Sequence, residues 1–216
     1  MNLHNVVKSI FVLVLANAPA AVAAGNYSGF LEDYTALQPD ADRPGALIYR
    51  KDGVDLGKYS KIALAPVEIW YSPANEYQGI SPDDLKLIAD SFRASLVKQL
   101  EPDYPVVETG GPDVLGVRLA IADVKIRKKG RTVLNFTPAG FALYTLKDIA
   151  GANVILDDAV IEAELVDSTT GERLGALVDQ QKATAGKKAS WASLEAALTF
   201  YAQRFRARLD AEHGNQ

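Results

Sequence analysis

The 216-residue chain contains no cysteine and only two histidines. Without thiols there can be no disulfide staple, so an exported protein of this sequence must depend on its core. His4 stands in the amino-terminal segment and His213 close to the other end, where chain termini fray. The body between them offers neither imidazole nor thiolate. Ser-His-Asp triads, Cys-His dyads and zinc centres built on those ligands are therefore excluded unless the tail folds inward. A Gly-rich phosphate loop ending in Lys-Ser or Lys-Thr and a dinucleotide fingerprint are also missing. What remains is carboxylate, Lys, Tyr or Ser chemistry, or none, and the expectation is a non-enzymatic protein with no cofactor and no metal.

Positive charge is also in short supply. Lys plus Arg number 23 against 27 Asp plus Glu, a formal net charge of −4. Mild acidity argues against a nucleic-acid protein, which needs a basic face for phosphates. At this length a single domain buries roughly 70% of the surface its unfolded chain exposes, enough for a core without staples.

Residues 1–24 read as an export signal. Lys8 is followed by the apolar run Ile10–Leu15, and ANAPAAVAAGN supplies small residues with a cut after Ala23 or Ala24. Pro19 interrupts the run before the ~20 apolar residues a spanning helix needs, so no integral membrane segment is expected after cleavage. Residues 25–58 are rich in Gly, Pro and Asp without sustained period. They read as an extended lead-in pinned to the body by Phe30, Leu31, Tyr34 and Leu37.

Residues 59–212 read as one α+β domain, with 213–216 a disordered tail. YSKIALAPVEIWY predicts a strand with Ile62 and Leu64 on one face. Its apolar phase shifts after Pro66, which places it at an edge or at a bulge. Ser81-Pro82-Asp83-Asp84 announces a helix: serine caps, proline suits the first position, and two carboxylates meet the dipole. Leu85, Ile88, Ala89, Phe92, Leu96 and Leu100 follow at helical spacing, and Pro102 ends the run. Leu115, Val117, Leu119 and Ile121 alternate along a long strand; Val154–Val166 and Arg173–Gln181 predict a pair of strands. From Ser190, Leu194, Leu198, Tyr201, Phe205 and Leu209 stripe a final helix whose other face carries Glu195, Arg204, Arg206 and Arg208. The predicted fold is a mostly antiparallel sheet with two helices packed on one face.

The segment IEAELVDSTTGERLGALVD (161–179) concentrates carboxylates. Glu162 and Glu164 share one strand face about 7 Å apart. A cation site or an acid–base pair is one reading. A hairpin whose acids face water is the other, and the polar-out alternation of half-exposed strands favours it. Asp167-Ser168-Thr169-Thr170-Gly171 is turn chemistry, with Gly171 in the left-handed conformation.

SGFLEDYTAL (28–37), GALIYRKDGVDLGKYSKIALAPVEIW (45–70), the acidic hairpin and the Trp191 helix together resemble domain-of-unknown-function family 3313, bacterial envelope proteins that are mostly predicted lipoproteins. The resemblance implies an envelope location and one domain, and brings no catalytic residues. Many relatives carry a lipid-bearing cysteine before the SGFL motif. AAGNYSGFL has none here, so a freely soluble periplasmic form is expected. A looser, fold-level likeness is to the amino-terminal domain of the TolB translocation protein and to the curli secretion lipoprotein, which work through protein contacts.

Three surfaces are candidates for an envelope partner, for self-association or for a ligand. Trp70, Tyr71 and Tyr77 sit where a strand leads into a helix; they stack on a small ligand or else plug the end of the core. Arg127, Lys128, Lys129 and Arg131 form the one dense basic cluster, either a headgroup contact or a solvated hairpin tip. Asn135–Ala152, with Phe141 and Tyr144, is apolar and glycine-hinged, a partner-binding flap or a buried connection.

Overall fold

The computed structural model describes residues 27–73, 80–128, 154–180 and 194–214. The export-signal reading and the Asn135–Ala152 segment lie outside them. Among the described residues, eight strands form one sheet and two α-helices pack on it: β1 (Gln38–Pro39), β2 (Ala46–Arg50), β3 (Lys61–Leu64), β4 (Glu68–Trp70), α1 (Pro82–Leu100), β5 (Val106–Val107), β6 (Val114–Lys128), β7 (Val154–Asp167), β8 (Arg173–Gln180) and α2 (Leu194–Gly214). The strand order is β1-β2-β8-β7-β6-β3-β5, with β4 also paired to β6. The pairings β1–β2, β2–β8, β8–β7 and β7–β6 are antiparallel, while β3, β4 and β5 join in parallel. This is the α+β class and mostly antiparallel sheet expected.

Pro66 divides what the sequence presents as one strand. β3 and β4 pair with successive parts of the same neighbour, Leu64 opposite Val117 and Glu68 opposite Ala120. A proline between them cannot donate to the ladder, so the strand breaks there and the chain re-enters in a shifted phase. α1 begins as its residues dictate: the Ser81 hydroxyl accepts from the Asp84 amide, Pro82 is the first helical residue, and Asp83 and Asp84 occupy the first turn. Ile88, Phe92, Leu96 and Leu100 are fully buried. They meet Ile62, Leu64, Leu115, Val117, Leu119 and Ile121 from the sheet, and Leu198, Tyr201, Phe205 and Leu209 from α2, in one core.

Asp123 interrupts β6 where its register to β7 slips, with φ of 54°. Aspartate tolerates this left-handed conformation better than most residues. Its carboxylate accepts from the Ser72 amide (2.8 Å) and hydroxyl (2.9 Å), tying the chain after β4 to the bulge.

Two features depart from the sequence reading. GALIYR is not lead-in coil: Ala46–Arg50 pairs along β8 from Asp179 to Gly175, so the sheet begins before residue 59. A five-residue strand between Gly45 (φ 88°) and Gly53 (φ 70°) is too short to show a period of its own. At the other end, α2 continues to Gly214, so the expected tail at 213–216 is helical through its first two residues. The His213 ring sits between carbonyls, Nδ1 2.8 Å from Leu209 O and Nε2 3.0 Å from Tyr59 O, and stands edge-on to Tyr104. The tail does fold inward, but it brings the imidazole to backbone oxygens and an aromatic ring.

Candidate functional site

The face of the sheet opposite the helices is covered by residues 27–37, which run across it as a strap. Phe30, Leu31 and Leu37 are buried against Ala120, Ala176 and Val178, with Tyr34, Leu47, Tyr49, Trp70 and Val160 packed around them. The four anchors expected from the sequence are the strap's contacts. Gly29 takes φ of 91°, a conformation glycine adopts without strain, and its backbone passes close to the Trp70 ring.

This strap overturns the solvated reading of the acidic hairpin. Glu162 is 1% exposed, Glu164 7% and Asp179 3%. Strand alternation places Glu162 and Glu164 on one face, as expected, but that face is roofed by coil. The Tyr34 hydroxyl donates to Glu162 Oε2 at 2.5 Å, and the Ser28 amide to Oε1 at 3.3 Å. The same Tyr34 oxygen accepts from the Gly29 and Leu31 amides, each at 3.1 Å. One carboxylate thereby organises a whole turn of strap backbone through one phenol. Glu164 accepts from Arg118 Nη1 (2.7 Å) and Arg173 Nε (2.6 Å). Arg118 extends this network to Glu68, 3.7 Å away, and lies over the Phe30 ring; Arg173 donates to the Asp33 carbonyl. A buried carboxylate needs such donors, because burial without them costs several kcal/mol.

Asp179 points to the opposite face, opposite Ile161, and meets α2. Arg204 Nη2 reaches both its oxygens, at 3.2 and 3.0 Å, and Arg208 Nη2 stands 3.7 Å off. Sequence reasoning placed Arg204 and Arg208 on the wet side of the helix. Arg208 is in fact only 12% exposed and also bonds Asp40 at 3.2 Å. Burial, and after it the nearby Arg43 guanidinium, push Arg208 down to about 10. The buried carboxylates thus lie on two faces of the sheet and do not converge on one cleft.

The hairpin turn behaves as its residues predict. Asp167 accepts from the amides of Thr169 and Thr170, and Gly171 takes φ of 73°. The Tyr59 hydroxyl donates to Asp167 at 2.7 Å, and this bond, followed by the Thr170 amide, holds the carboxyl well below the usual carboxylate range.

Four tyrosines with raised pKa values give the fold an alkaline limit. Burial, and then the carboxylate each faces, raises Tyr27, Tyr34 and Tyr59 and pushes Tyr104 up to about 12. The folded state therefore holds these phenolic protons more tightly than the unfolded chain, whose tyrosines titrate near ~10. Their stabilisation is complete below pH ~10 and is lost as the pH climbs from there through the folded values. Urea unfolding followed by circular dichroism is expected to give a level midpoint from pH 8 to about 10 and a falling one above. A midpoint unchanged at pH ~11.5 contradicts these placements.

Of the other predicted site residues, Trp70 is half-buried: its Nε1 donates to Glu68 Oε2 at 2.9 Å and its ring stands edge-on to Phe30. It serves the strap and is not an open platform. Tyr71 is likewise half-buried at the end of β4, while Tyr77 lies outside the described residues. Arg127 and Lys128 belong to β6, where they pair with Ile155 and Val154. Lys129, Arg131, Phe141 and Tyr144 lie outside the described residues. Among the described residues there is no group of three His, Cys, Asp or Glu placed to hold a metal ion, and no helix long and apolar enough to cross a membrane.

Sequence reasoning missed a cleft on the helix face. Two packed helices cover about 20 Å of sheet, roughly four strands at their ~4.8 Å spacing, and this sheet is wider. Beyond α2, the β2–β8 end is left with a cavity of about 310 Å³. Ile48, Leu165, Leu174 and Leu177 form its floor, with Phe205 and Leu209 of α2 as a wall. Arg43, Arg50 and Arg208 stand at its rim with Asp40, Asp42 and Glu212. Arg50 Nη2 is 2.6 Å from Glu212 Oε2, though out of line for a hydrogen bond.

Sheet, two helices and a strap clamped by buried carboxylates define an α+β scaffold built on one sheet, with helices on one face and the strap on the other. A family model describing a protein of unknown function (DUF3313) matches residues 26–205. The chain belongs to that family. No curated protein matches it. Among solved structures, the chain is similar to the PelC dodecamer from Paraburkholderia phytofirmans, at 12% identity and a TM-score of 0.39 over 76% of this chain and 96% of that one. A single-substitution variant of that dodecamer gives 14% identity with the same TM-score and coverage. A DUF4136 family protein from Bacteroides thetaiotaomicron gives 13% identity and a TM-score of 0.37 over 80% of this chain and 99% of that one. At these scores the likenesses carry no argument about activity.

Proposed function

We propose that this protein is a non-enzymatic component of the bacterial envelope, periplasmic in location, that acts by protein–protein contact. The observation that carries this reading is the engagement of the sheet's acids: Glu162 holds the strap, Glu164 joins two arginines of the sheet, and Asp179 joins two of α2. Carboxylates consumed in this way lack the freedom to exchange protons with a substrate or to ligate an ion. The apolar signal-like start of the sequence supports the location. A domain whose charged groups are used in architecture is suited to present surfaces.

The test is isolation of the tagged protein from the fraction released on spheroplast formation. The expected result is recovery in that fraction with an envelope protein in fixed stoichiometry. Recovery in the cytosol, or a monomer by sedimentation equilibrium with no companion, contradicts the proposal.

A further inference from the structure

We propose that the cleft between the β2–β8 end of the sheet and α2 is a binding site for an anionic amphiphile: a short acyl chain carrying a carboxylate or a comparable acidic head. Three observations converge on this chemistry. The first is size. A dry apolar cavity of ~150 Å³ admits a benzene-sized ligand, and this one encloses about 310 Å³, room for a chain of several methylenes. The second is its lining. Ile48, Leu165 and Leu177 are only partly buried, and Phe205 and Leu209 close the space from above, so an alkyl chain entering past β2 gains apolar contact on both sides.

The third observation is an unanswered donor at the head of the cleft. Arg208 lines the cavity, and its Nη2 is already committed to Asp40 and Asp179. Its Nε–H is buried and has no acceptor among the described residues, and the same is true of Arg204, one turn away on α2. A buried donor without an acceptor is costly, and an oxygen acid in the cleft removes that cost for Arg208. Arg43 stands beside the same group at the lip. Of the rim carboxylates, Asp40 is held by Arg43 and Arg208, Asp42 is exposed to water, and Glu212 lies beside Arg50 although its buried Oε2 accepts no hydrogen bond. A cationic head would leave the Nε–H unanswered; an alcohol would answer it only weakly. Charge-assisted bonds are roughly twice as strong as neutral ones.

Calorimetric titration of the purified protein with hexanoate, octanoate, decanoate, 1-octanol and octylammonium tests the proposal. The expected result is binding that strengthens about fourfold per methylene along the carboxylates until the cleft is filled. Octanoate is expected to bind about tenfold or more tightly than octanol, and octylammonium more weakly than either. Ile48→Trp, which fills the mouth from β2, is expected to abolish binding while leaving the far-ultraviolet spectrum unchanged. Arg208→Lys keeps a point charge but removes the Nε–H, and is expected to lower octanoate affinity while leaving octanol affinity unchanged. If that variant does not fold, Arg43→Gln at the lip provides the same comparison with a smaller drop. Affinity independent of chain length, octanol equal to octanoate, or undiminished binding to folded Ile48→Trp overturns the proposal. So does a concentration-dependent dimer that Ile48→Trp dissolves in a protein that does not bind octanoate, which makes the cleft a contact between copies.

Discussion

Phe92→Ala is expected to lower the unfolding free energy by about 3–5 kcal/mol, the cost of an aromatic deletion in a packed interior. Phe92 is fully buried on α1, where the sheet and α2 meet in one core. The truncation removes transfer free energy and leaves a cavity that the surrounding sheet and helix side chains cannot fully relax to fill. For a chain of this length the thermal midpoint should fall by roughly 6–20 °C. Differential scanning calorimetry checks this. A fall of less than ~2 °C contradicts the placement of Phe92, since it would mean that α1 does not seat that side chain against the sheet.

The second large effect is expected at the strap. Glu162→Ala removes the acceptor of a short bond from Tyr34 and a longer one from Ser28. Bonds to a charged acceptor are worth about 1.5–3 kcal/mol each, and with the longer one counted low the loss should be ~3 kcal/mol. The consequence extends beyond two bonds, because the Tyr34 oxygen also accepts from Gly29 and Leu31. Without Glu162 to orient the phenol, strap backbone loses its acceptor as well. Urea unfolding should show the loss, and limited proteolysis should cut within residues 27–37 before the sheet is touched. A variant within ~0.5 kcal/mol of the parent, with the strap intact, would restore the view that these acids merely face water.

Strand alternation revealed which side chains share a face; it did not reveal whether that face is wet. Leu115, Val117, Leu119 and Ile121 could be read as one buried row, and Glu162 and Glu164 as neighbours, from period alone. The covering of the acidic face could not, since residues 27–37 form a coil and coil has no period to read. Four isolated anchors, Phe30, Leu31, Tyr34 and Leu37, were legible as pins, but nothing local says which surface they pin to. The joint presence of SGFL and EAEL in the sequence was the available clue: Ser28 and Glu162 are hydrogen-bond partners although far apart along the chain.

The helix ends show the same division. Ser81, Pro82 and the first-turn acids specify a start through contacts within a few residues, and α1 begins there. Arg204 and Arg208 looked solvent-facing because charge normally marks the wet side of a helix. Asp179, a strand residue turned inward, draws them under α2, and only the packing of α2 across β8 brings the three together. The cleft was unreadable for a related reason: it arises because two helices are narrower than the sheet they cover, a fact about the sum of elements.

The most direct test of the strap clamped by buried acids is amide hydrogen exchange read by mass spectrometry on peptides spanning residues 27–37. The account predicts strong protection of the Ser28, Gly29, Phe30 and Leu31 amides in the parent protein. It further predicts that this protection is lost in Glu162→Ala while β6, β7 and β8 stay protected. Free exchange of those four amides in the parent protein would contradict it.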